Sequence, residues 1–269
     1  MVIYKDNIHS RTDKTSFQEP VALCDGTARV NAEGMHYRDL NNLIKSLSNN
    51  GLKRIELSNV FGQRYLGTGL DSNIEIQVYG IPGNDLGAFM RETTIIVHGN
   101  AQDGCGNTMD NGKIVIHGHA GDVVGYSMRG GSIFIRDDVG YRVGIHMKEY
   151  LEKRPVIVVG GTAQDFLGEY MAGGILVLLG LTLRNNVKHS ARFVGTGMHG
   201  GKIYVRGEVE NPSNDIEVTN LDENDKCILT DIVREFCKNF GYDINTIMEE
   251  KFIKLVPISK RPYERLYVK

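Results

Sequence analysis

The methionines are the residues whose spacing first suggests chemistry. Six of the nine stand three residues after a glycine, and thioether sulfurs at a regular interval could bind copper(I). Methionine also fills irregular gaps in protein cores, and one sulfur per interval at a constant position favours that structural interpretation. The pairs are Gly87 and Met90, Gly106 and Met109, Gly125 and Met128, Gly144 and Met147, Gly168 and Met171, and Gly195 and Met198.

Histidines offer a second possible chemistry. His98 and His117 occupy equivalent positions in the repeat, and two imidazoles can begin a metal site. No carboxylate or thiol ladder accompanies them, whereas a metal site needs a full ligand set. We therefore expect no bound metal and predict that the two rings stack beside Tyr79 and Arg136 on neighbouring strands.

His146 follows a different interval. It lies in the repeat that carries an insertion, residues 148–155, and solenoids place specific contacts in such insertions. The sequence therefore makes His146 a candidate contact residue for a partner.

Acidic and amide residues often stand three positions before the repeat glycine. A calcium site needs several oxygens that converge on one ion, which a single carboxylate per repeat does not supply. We expect these side chains to cap tight turns by bonding their own backbone. They are Asn84, Asp103, Asp122 and Asp165.

Other catalytic patterns are absent from the sequence. The four cysteines form no CxxC pair, so neither zinc nor an iron-sulfur cluster is indicated, and we expect reduced, mostly buried thiols. Gly67 and Gly69 lack the third glycine of a nucleotide-binding loop, and no G-x-S-x-G nucleophile elbow occurs. The residues therefore predict no catalytic set and no cofactor bound by this chain.

The glycine and methionine pairs recur at an interval of 19 residues and later at 24 and 27, which is typical of a solenoid. Two ladders of aliphatic residues keep the same interval, and each pair of positions forms a short strand with both side chains on one face. We predict an all-β-dominated fold, a single-stranded parallel β-helix of about seven coils. The ladders are Ile76, Ile95, Ile114, Ile133, Ile157, Leu176 and Ile203, and Val78, Val97, Ile116, Ile135, Val159, Leu178 and Val205.

Flanking segments divide the chain into four predicted parts. Residues 1–20 form an N-terminal arm, 21–62 a small α/β cap, 63–210 the β-helix, and 211–269 C-terminal helices with a basic, aromatic tail. Helical spacing predicts a helix over 37–50 ended by Gly51, and another that Gly241 ends. The tail either caps the end of the β-helix or docks a partner.

A third ladder lies between the two inward ones and should face outward. An apolar stripe of this length must be covered, by the terminal helices or by another protein. Homo-oligomerisation through the stripe is one option, and Phe134 and Tyr204 are then candidate contacts. The ladder is Gln77, Ile96, Val115, Phe134, Val158, Val177 and Tyr204.

Composition narrows the possible partners. The formal charge of the 269-residue chain is −2, which gives no electrostatic case for nucleic acid or an acidic membrane. The longest apolar stretch is too short to span a bilayer, and the first residues lack the shape of a signal peptide. We expect a cytoplasmic protein.

Glycines spaced by six residues also suggest left-handed β-helix acyltransferases, whose catalytic histidine lies between subunits. Their interval is 18 with aliphatic residues at all three hexad positions, so an acyltransferase remains a minor alternative.

Several long runs identify a closer resemblance. The segments GNAQDGCGNTMDNGKIVIHGHAGDVVGYSMRGGSIFIRDDVGYRVGIHMKEY, PVIVVGGTAQDFLGEYMAGGILVLLG and FVGTGMHGGKIYVRG closely resemble the C-terminal glycine-repeat (GXGXG) domain of the glutamate synthase large subunit. They resemble less closely the third subunit of formylmethanofuran dehydrogenase. The flanks GMHYRDLNNLI, NVFGQRYLGTGL and RPYERLY are similar to the stand-alone version of that domain.

The resemblance implies a right-handed β-helix without catalytic residues. It implies a scaffold that holds a glutamine amidotransferase and a synthase chain with FMN and iron-sulfur clusters, in a glutamate-synthase-type oxidoreductase for glutamate biosynthesis. The alternative is a free-standing binding or regulatory module that kept the fold.

Overall fold

The computed structural model describes residues 21–24, 26–184 and 187–260. The predictions for the arm 1–20 and for the tail after residue 260 lie outside these residues. The elements in chain order are β1 (Val21–Cys24), β2 (Thr27–Asn31), α1 (Tyr37–Asn49), β3 (Arg54–Phe61), β4 (Glu75–Ile81), β5 (Thr94–Val97), β6 (Lys113–Ile116), β7 (Ser132–Ile135), β8 (Val156–Val159), β9 (Ala172–Leu178), β10 (His189–Val194), β11 (Gly200–Arg206), β12 (Val209–Pro212), β13 (Ile216–Asn220), α2 (Glu223–Phe240), α3 (Ile244–Met248) and β14 (Phe252–Pro257).

The predicted parallel solenoid is confirmed. Strands β4 to β9 and β11 pair in parallel with each predicted ladder position opposite the next, as Ile95 lies opposite Ile114. Strand β3 adds a further rung, because Ile55 and Leu57 lie opposite Ile76 and Val78. Strands β14 and β13 add antiparallel rungs at the far end, and β10 pairs with β12 in a small second sheet.

Helix α1 closes the N-terminal end of the stack. Its buried residues Leu40, Ile44 and Leu47 join the same core as the coil ladders. The helix ends one residue before the predicted limit, and Gly51 follows with a φ of 73°, the left-handed conformation that glycine adopts after a helix C-cap.

The methionine ladder lies inside the coils. Met109, Met128 and the other four are at most 3 % exposed, so their thioethers fill the core. The residue before each repeat glycine, including Gly67 at the equivalent position one coil earlier, also points inward. This additional ladder, which the sequence analysis did not identify, is fully or almost fully buried and comprises Leu66, Leu86, Cys105, Val124, Val143, Leu167 and Val194.

The acidic side chains before the repeat glycines join neighbouring coils. Oδ1 of Asp103 accepts the backbone N–H of Asp122 at 2.9 Å, and Oδ1 of Asp122 accepts that of Tyr141. Asp165 accepts the N–H of Arg192 in the same way. The prediction that these residues cap their own turns is therefore wrong for these three carboxylates, because the backbone of the next coil offers a free donor directly above them.

The outward apolar stripe is covered by the chain itself. Helix α2 packs its apolar face, including Leu229, Val233 and Phe236, on the sheet and buries Val115 and Val158. Gln77, the first residue of the stripe, is polar and does not belong to the apolar cluster that α2 forms with the sheet. A homo-oligomer through the stripe is thereby contradicted, since its apolar part is already occupied.

Helix α2 is locked to the sheet by a buried carboxylate. Asp225 accepts hydrogen bonds from Lys202 at 2.6 Å, from the hydroxyl of Tyr204 at 2.8 Å, and from Lys254. Burial opposes ionisation of Asp225, but these donors outweigh it and hold the pKa well below its usual range. The carboxylate also completes a capping box with Asp222 at the start of α2.

Candidate docking surface

One corner of every coil has an unusual backbone. The repeat glycine and the residues two positions before and after it all have positive φ, as in Asp85, Gly87 and Phe89 at 61°, 65° and 58°. We call this row of corners the glycine edge. Residues other than glycine occupy many of the flanking positions, although L residues rarely adopt this conformation.

Strain at this edge falls on exposed or half-buried side chains. The thirteen described non-glycine residues with positive φ include eleven at the flanking positions. Strained residues persist where the surrounding structure over-determines them, and they cluster at functional sites. The eleven are Tyr65, Asp85, Phe89, Thr108, Val123, Ser127, Arg142, His146, Phe166, Tyr170 and Phe193.

Backbone hydrogen bonds between coils hold the edge in place. The N–H of Gly144 donates to the carbonyl of Val124 in the preceding coil, whereas those of Arg142 and His146 donate to the following coil. Adding a Cβ to the repeat glycine would also crowd the interior, since at Gly144 it would lie 2.8 Å from Cδ1 of Leu176. The edge is therefore a rigid platform.

The last coils carry an aromatic cluster on this platform. The ring of His146 stacks on Tyr170, with centroids 5.2 Å apart, and meets the edge of the Tyr126 ring at 6.0 Å. In the neighbouring row Phe166 stacks on Phe193 at 5.0 Å. Tyr126 and Phe193 remain 40 % and 49 % exposed.

Two arginines lie over the row formed by Phe166 and Phe193. The guanidinium of Arg142 lies 4.9 Å from the centroid of Phe166 and donates to Glu169 at 3.0 Å. Arg192 lies over Phe193 and pairs with Asp165, whose pKa this pairing lowers. We define the aromatic patch as Tyr126, Arg142, His146, Phe166, Tyr170 and Phe193.

The patch has the composition of an interface. Tyrosine, phenylalanine and arginine are enriched at the centres of protein interfaces. Stacking fixes the rings before a partner arrives, which lowers the entropy lost on binding. The patch can therefore dock another protein.

The sequence-predicted contact residues have different positions. His146 is exposed within the patch, close to the insertion 148–155 that folds back so that Lys153 pairs with Asp110 at 2.6 Å. In contrast, Phe134 and Tyr204 are 3 % and 0 % exposed. The prediction of partner contacts fails for these two residues, because α2 covers them.

The stack of His98 on His117 is confirmed. The two rings lie 5.5 Å apart, Tyr79 stacks on His98 at 4.4 Å, and Phe240 of α2 closes the column. Burial lowers the pKa of His117, with smaller contributions from His98 and Arg136. No group of three or more His, Cys, Asp or Glu side chains that could hold a metal occurs within residues 21–24, 26–184 and 187–260.

The two buried thiols, Cys105 and Cys237, have no feature of a nucleophile. Burial raises the pKa of Cys105 to about 12, and Cys237 is also buried with a raised pKa. Cys227 is exposed, so two of these three thiols are buried, in line with the expectation of mostly buried thiols. None of the described helices is long and apolar enough to cross a membrane.

The aromatic patch was not identified from the sequence. Its signal was present: the positions two residues from each repeat glycine hold aromatic or arginine side chains in the later coils. The positive φ that presents these side chains follows from the stacking of coils and has no local marker.

The family profile of the GXGXG motif matches residues 44–258. The chain is 50 % identical over 248 residues to "Uncharacterized protein MJ1350" from Methanocaldococcus jannaschii, which covers 88 % of this chain and 95 % of the relative. The fold of the present chain is similar to that of a chain in the formyltransferase/hydrolase complex (FhcABCD) from Methylorubrum extorquens, which was solved with methylofuran. That match has a TM-score of 0.55 and 17 % identity, and it covers 85 % of this chain and 95 % of the other.

Proposed function

Since the chain belongs to the GXGXG motif family, we propose that it is a non-catalytic scaffold subunit of a multi-subunit enzyme. More specifically, we propose a glutamate-synthase-like complex, in which it holds a glutamine amidotransferase and an FMN and iron-sulfur synthase chain together. The supporting observation is the aromatic patch, which presents the exposed side chains of Tyr126, Arg142, His146 and Phe193 on a rigid edge.

The arrangement of the polar groups supports a scaffold. Asp225 locks a helix, the carboxylates of Asp103 and Asp122 join coils, and His98 and His117 form part of a ring column. Each of these groups has a structural role, and none faces a pocket together with a nucleophile.

Similarity to other proteins adds two further supports. The sequence resembles the GXGXG domain of glutamate synthase over long runs, and the solved chain of similar fold works within an enzyme complex. In our proposal, the partner chains convert glutamine and 2-oxoglutarate, with two electrons and two protons, into two molecules of glutamate.

Affinity purification of the tagged full-length chain from its native source tests the proposal. We expect an amidotransferase and a flavin and iron-sulfur chain in near-equal amounts, and glutamate formation by the purified complex. Recovery of the chain alone would contradict a scaffold role, and recovery with enzymes of another reaction would contradict the glutamate-synthase assignment.

A further inference from the structure

A basic groove lies at the N-terminal end of the glycine edge. It has a volume of about 330 Å³ and runs between helix α1 and the first coil corner. Its lining includes Tyr37, Arg38, Lys45 and Tyr65. Tyr65 is also a left-handed residue of the glycine edge, so the groove continues the surface that carries the aromatic patch.

The groove is held in shape by hydrogen bonds and ring contacts. The side-chain amide of Asn41 donates to the carbonyls of Tyr37 at 2.7 Å and Arg64 at 3.0 Å, which joins α1 to the coil. The Tyr37 and Tyr65 rings lie 5.9 Å apart. The Arg64 guanidinium lies 5.0 Å from the centroid of Tyr37.

Two arginines contact these rings and Lys45 lines the same groove, all without a carboxylate partner among the described residues. Arg38 donates to the hydroxyl of Tyr37 at 3.2 Å and Arg64 lies over the tyrosine rings. Neither of them, nor Lys45, forms an ion pair with any carboxylate of the described residues. Elsewhere on the surface, cations such as Arg29 and Arg54 are paired with glutamates. The groove therefore offers positive charge that a ligand can neutralise.

The shape of the groove favours a chain segment over a free small anion. The residues of α1 that line it extend from Tyr37 to Lys45, about 12 Å along the helix at 1.5 Å per residue. An extended segment of three or four residues covers that length. The groove is open, and its lining cations Arg38 and Lys45 and the adjacent Arg64, which lies over the tyrosine rings, are exposed.

We propose that this groove binds an acidic segment of a partner chain that carries an aromatic or aliphatic side chain. Its carboxylates pair with Arg38, Lys45 and Arg64, and its apolar side chain packs on Tyr37 and Tyr65. The inference rests on the proposed scaffold function and specifies the chemistry of one docking partner.

Fluorescence anisotropy with the full chain tests this directly. The probe is a fluorescein-labelled hexapeptide with four glutamates and two phenylalanines, and the control peptide has lysines in place of the glutamates. We expect binding of the acidic peptide only, weaker at high salt because exposed charge pairs are screened. Equal binding of both peptides, or no binding of the acidic one, would overturn the proposal.

Charge-reversal variants locate the binding. The double variant Lys45→Glu with Arg64→Glu should raise the Kd of the acidic peptide at least about tenfold, which corresponds to about 1.4 kcal/mol of binding free energy. The matched control, Lys53→Glu with Lys251→Glu, makes the same change in net charge at exposed sites elsewhere and should stay within about twofold of wild type. An equal loss of peptide affinity in both double variants would show that net charge causes the effect and would contradict binding in the groove.

Two further arms complete the test. Inorganic phosphate that displaces the peptide more effectively than chloride at equal ionic strength would indicate a small-anion site and overturn the docking proposal. Partner retention in the native purification separates the two proposals. If a partner is retained equally by wild type and by the Lys45→Glu, Arg64→Glu variant, only the groove assignment fails.

Discussion

Gly87 faces Ile114 across the interior of the solenoid so closely that a methyl group added to the glycine would lie 2.8 Å from Cδ1 of the isoleucine. Ile114 lies on β6, two strands after the strand that precedes Gly87. Two constraints therefore act on the repeat glycines. Their φ is left-handed, and an isoleucine or leucine two coils further along the chain leaves no room for a side chain at most of them. This double constraint is the physical basis of the glycine repeat.

Replacement of Gly87 by alanine separates these constraints. Gly87→Ala should lower the free energy of unfolding by about 2–4 kcal/mol, from left-handed strain and overpacking together. Gly69→Ala is the matched control, because Gly69 has a φ of 65° with no atom within 4 Å of the added methyl; it should cost only about 1–2 kcal/mol. Adding Ile114→Val to Gly87→Ala removes Cδ1 and should restore part of the loss in chemical denaturation. Absence of any restoration would contradict the crowding.

The methionine stack makes a second prediction. Met109 is fully buried, so Met109→Asp places an unpaired charge in the core and should cost several kcal/mol. Met109→Leu nearly preserves the volume and should cost less than about 1.5 kcal/mol. Thermal unfolding compares the two variants. An unchanged melting temperature for the aspartate variant would place this side chain in solvent.

The buried carboxylate of Asp225 is a third test. Asp225→Asn leaves Lys202 without its charge partner and Lys254 with only Asp222 at 3.5 Å, and it should destabilise the protein by about 3–5 kcal/mol. Loosening of α2 should expose the stripe beneath it and increase binding of a hydrophobic dye. Asp231→Asn on the same helix breaks only an exposed pair with Arg234 and should change stability by less than about 1 kcal/mol. Similar effects of the two variants on stability would contradict the role of Asp225 in holding α2 to the sheet.

Stability should fall between neutral and mildly acidic pH. Burial lowers the pKa of His189 below its ordinary value of 6.5, and a hydrogen bond with the carbonyl of Arg206 opposes the shift only in part. The unfolded chain then binds a proton that the folded chain does not, so the free energy of unfolding decreases as pH falls below about 6.5. In His189→Gln this decrease should be smaller in denaturation series from pH 7.5 to 5. An identical pH dependence would contradict a buried neutral imidazole.

Much of the fold could be predicted because the interval of the repeat reports directly on stacked coils. Ile95 and Val97 recur as Ile114 and Ile116 at one interval, and residues two apart on a strand point to the same face. The helix ended by Gly241 was predictable for a similar reason, since its apolar spacing and its C-cap are local signals. The bounds of the four predicted parts stay a prediction.

The errors concern relations between distant residues. Phe134 has the pattern of an exposed stripe, and only the packing of α2 shows that the chain buries it. Asp103 resembles a turn cap, and only the stacking of coils brings the N–H of Asp122 to it. Strand β14 was missed as well, because it forms by pairing with β11 and β13 from a short segment without clear periodicity.

In our proposal, the chain is a scaffold that docks its partners through the aromatic patch. The most direct measurement is the amount of partner protein retained, per mole of tagged chain, by wild type, by the double variant Tyr126→Glu with Phe193→Glu, and by Tyr79→Glu. Tyr79 is an equally exposed tyrosine outside the glycine edge. We predict that the double variant folds but loses at least one partner chain, whereas Tyr79→Glu retains all of them. Full retention of the partners by the double variant, or equal loss in both variants, would contradict docking through the aromatic patch.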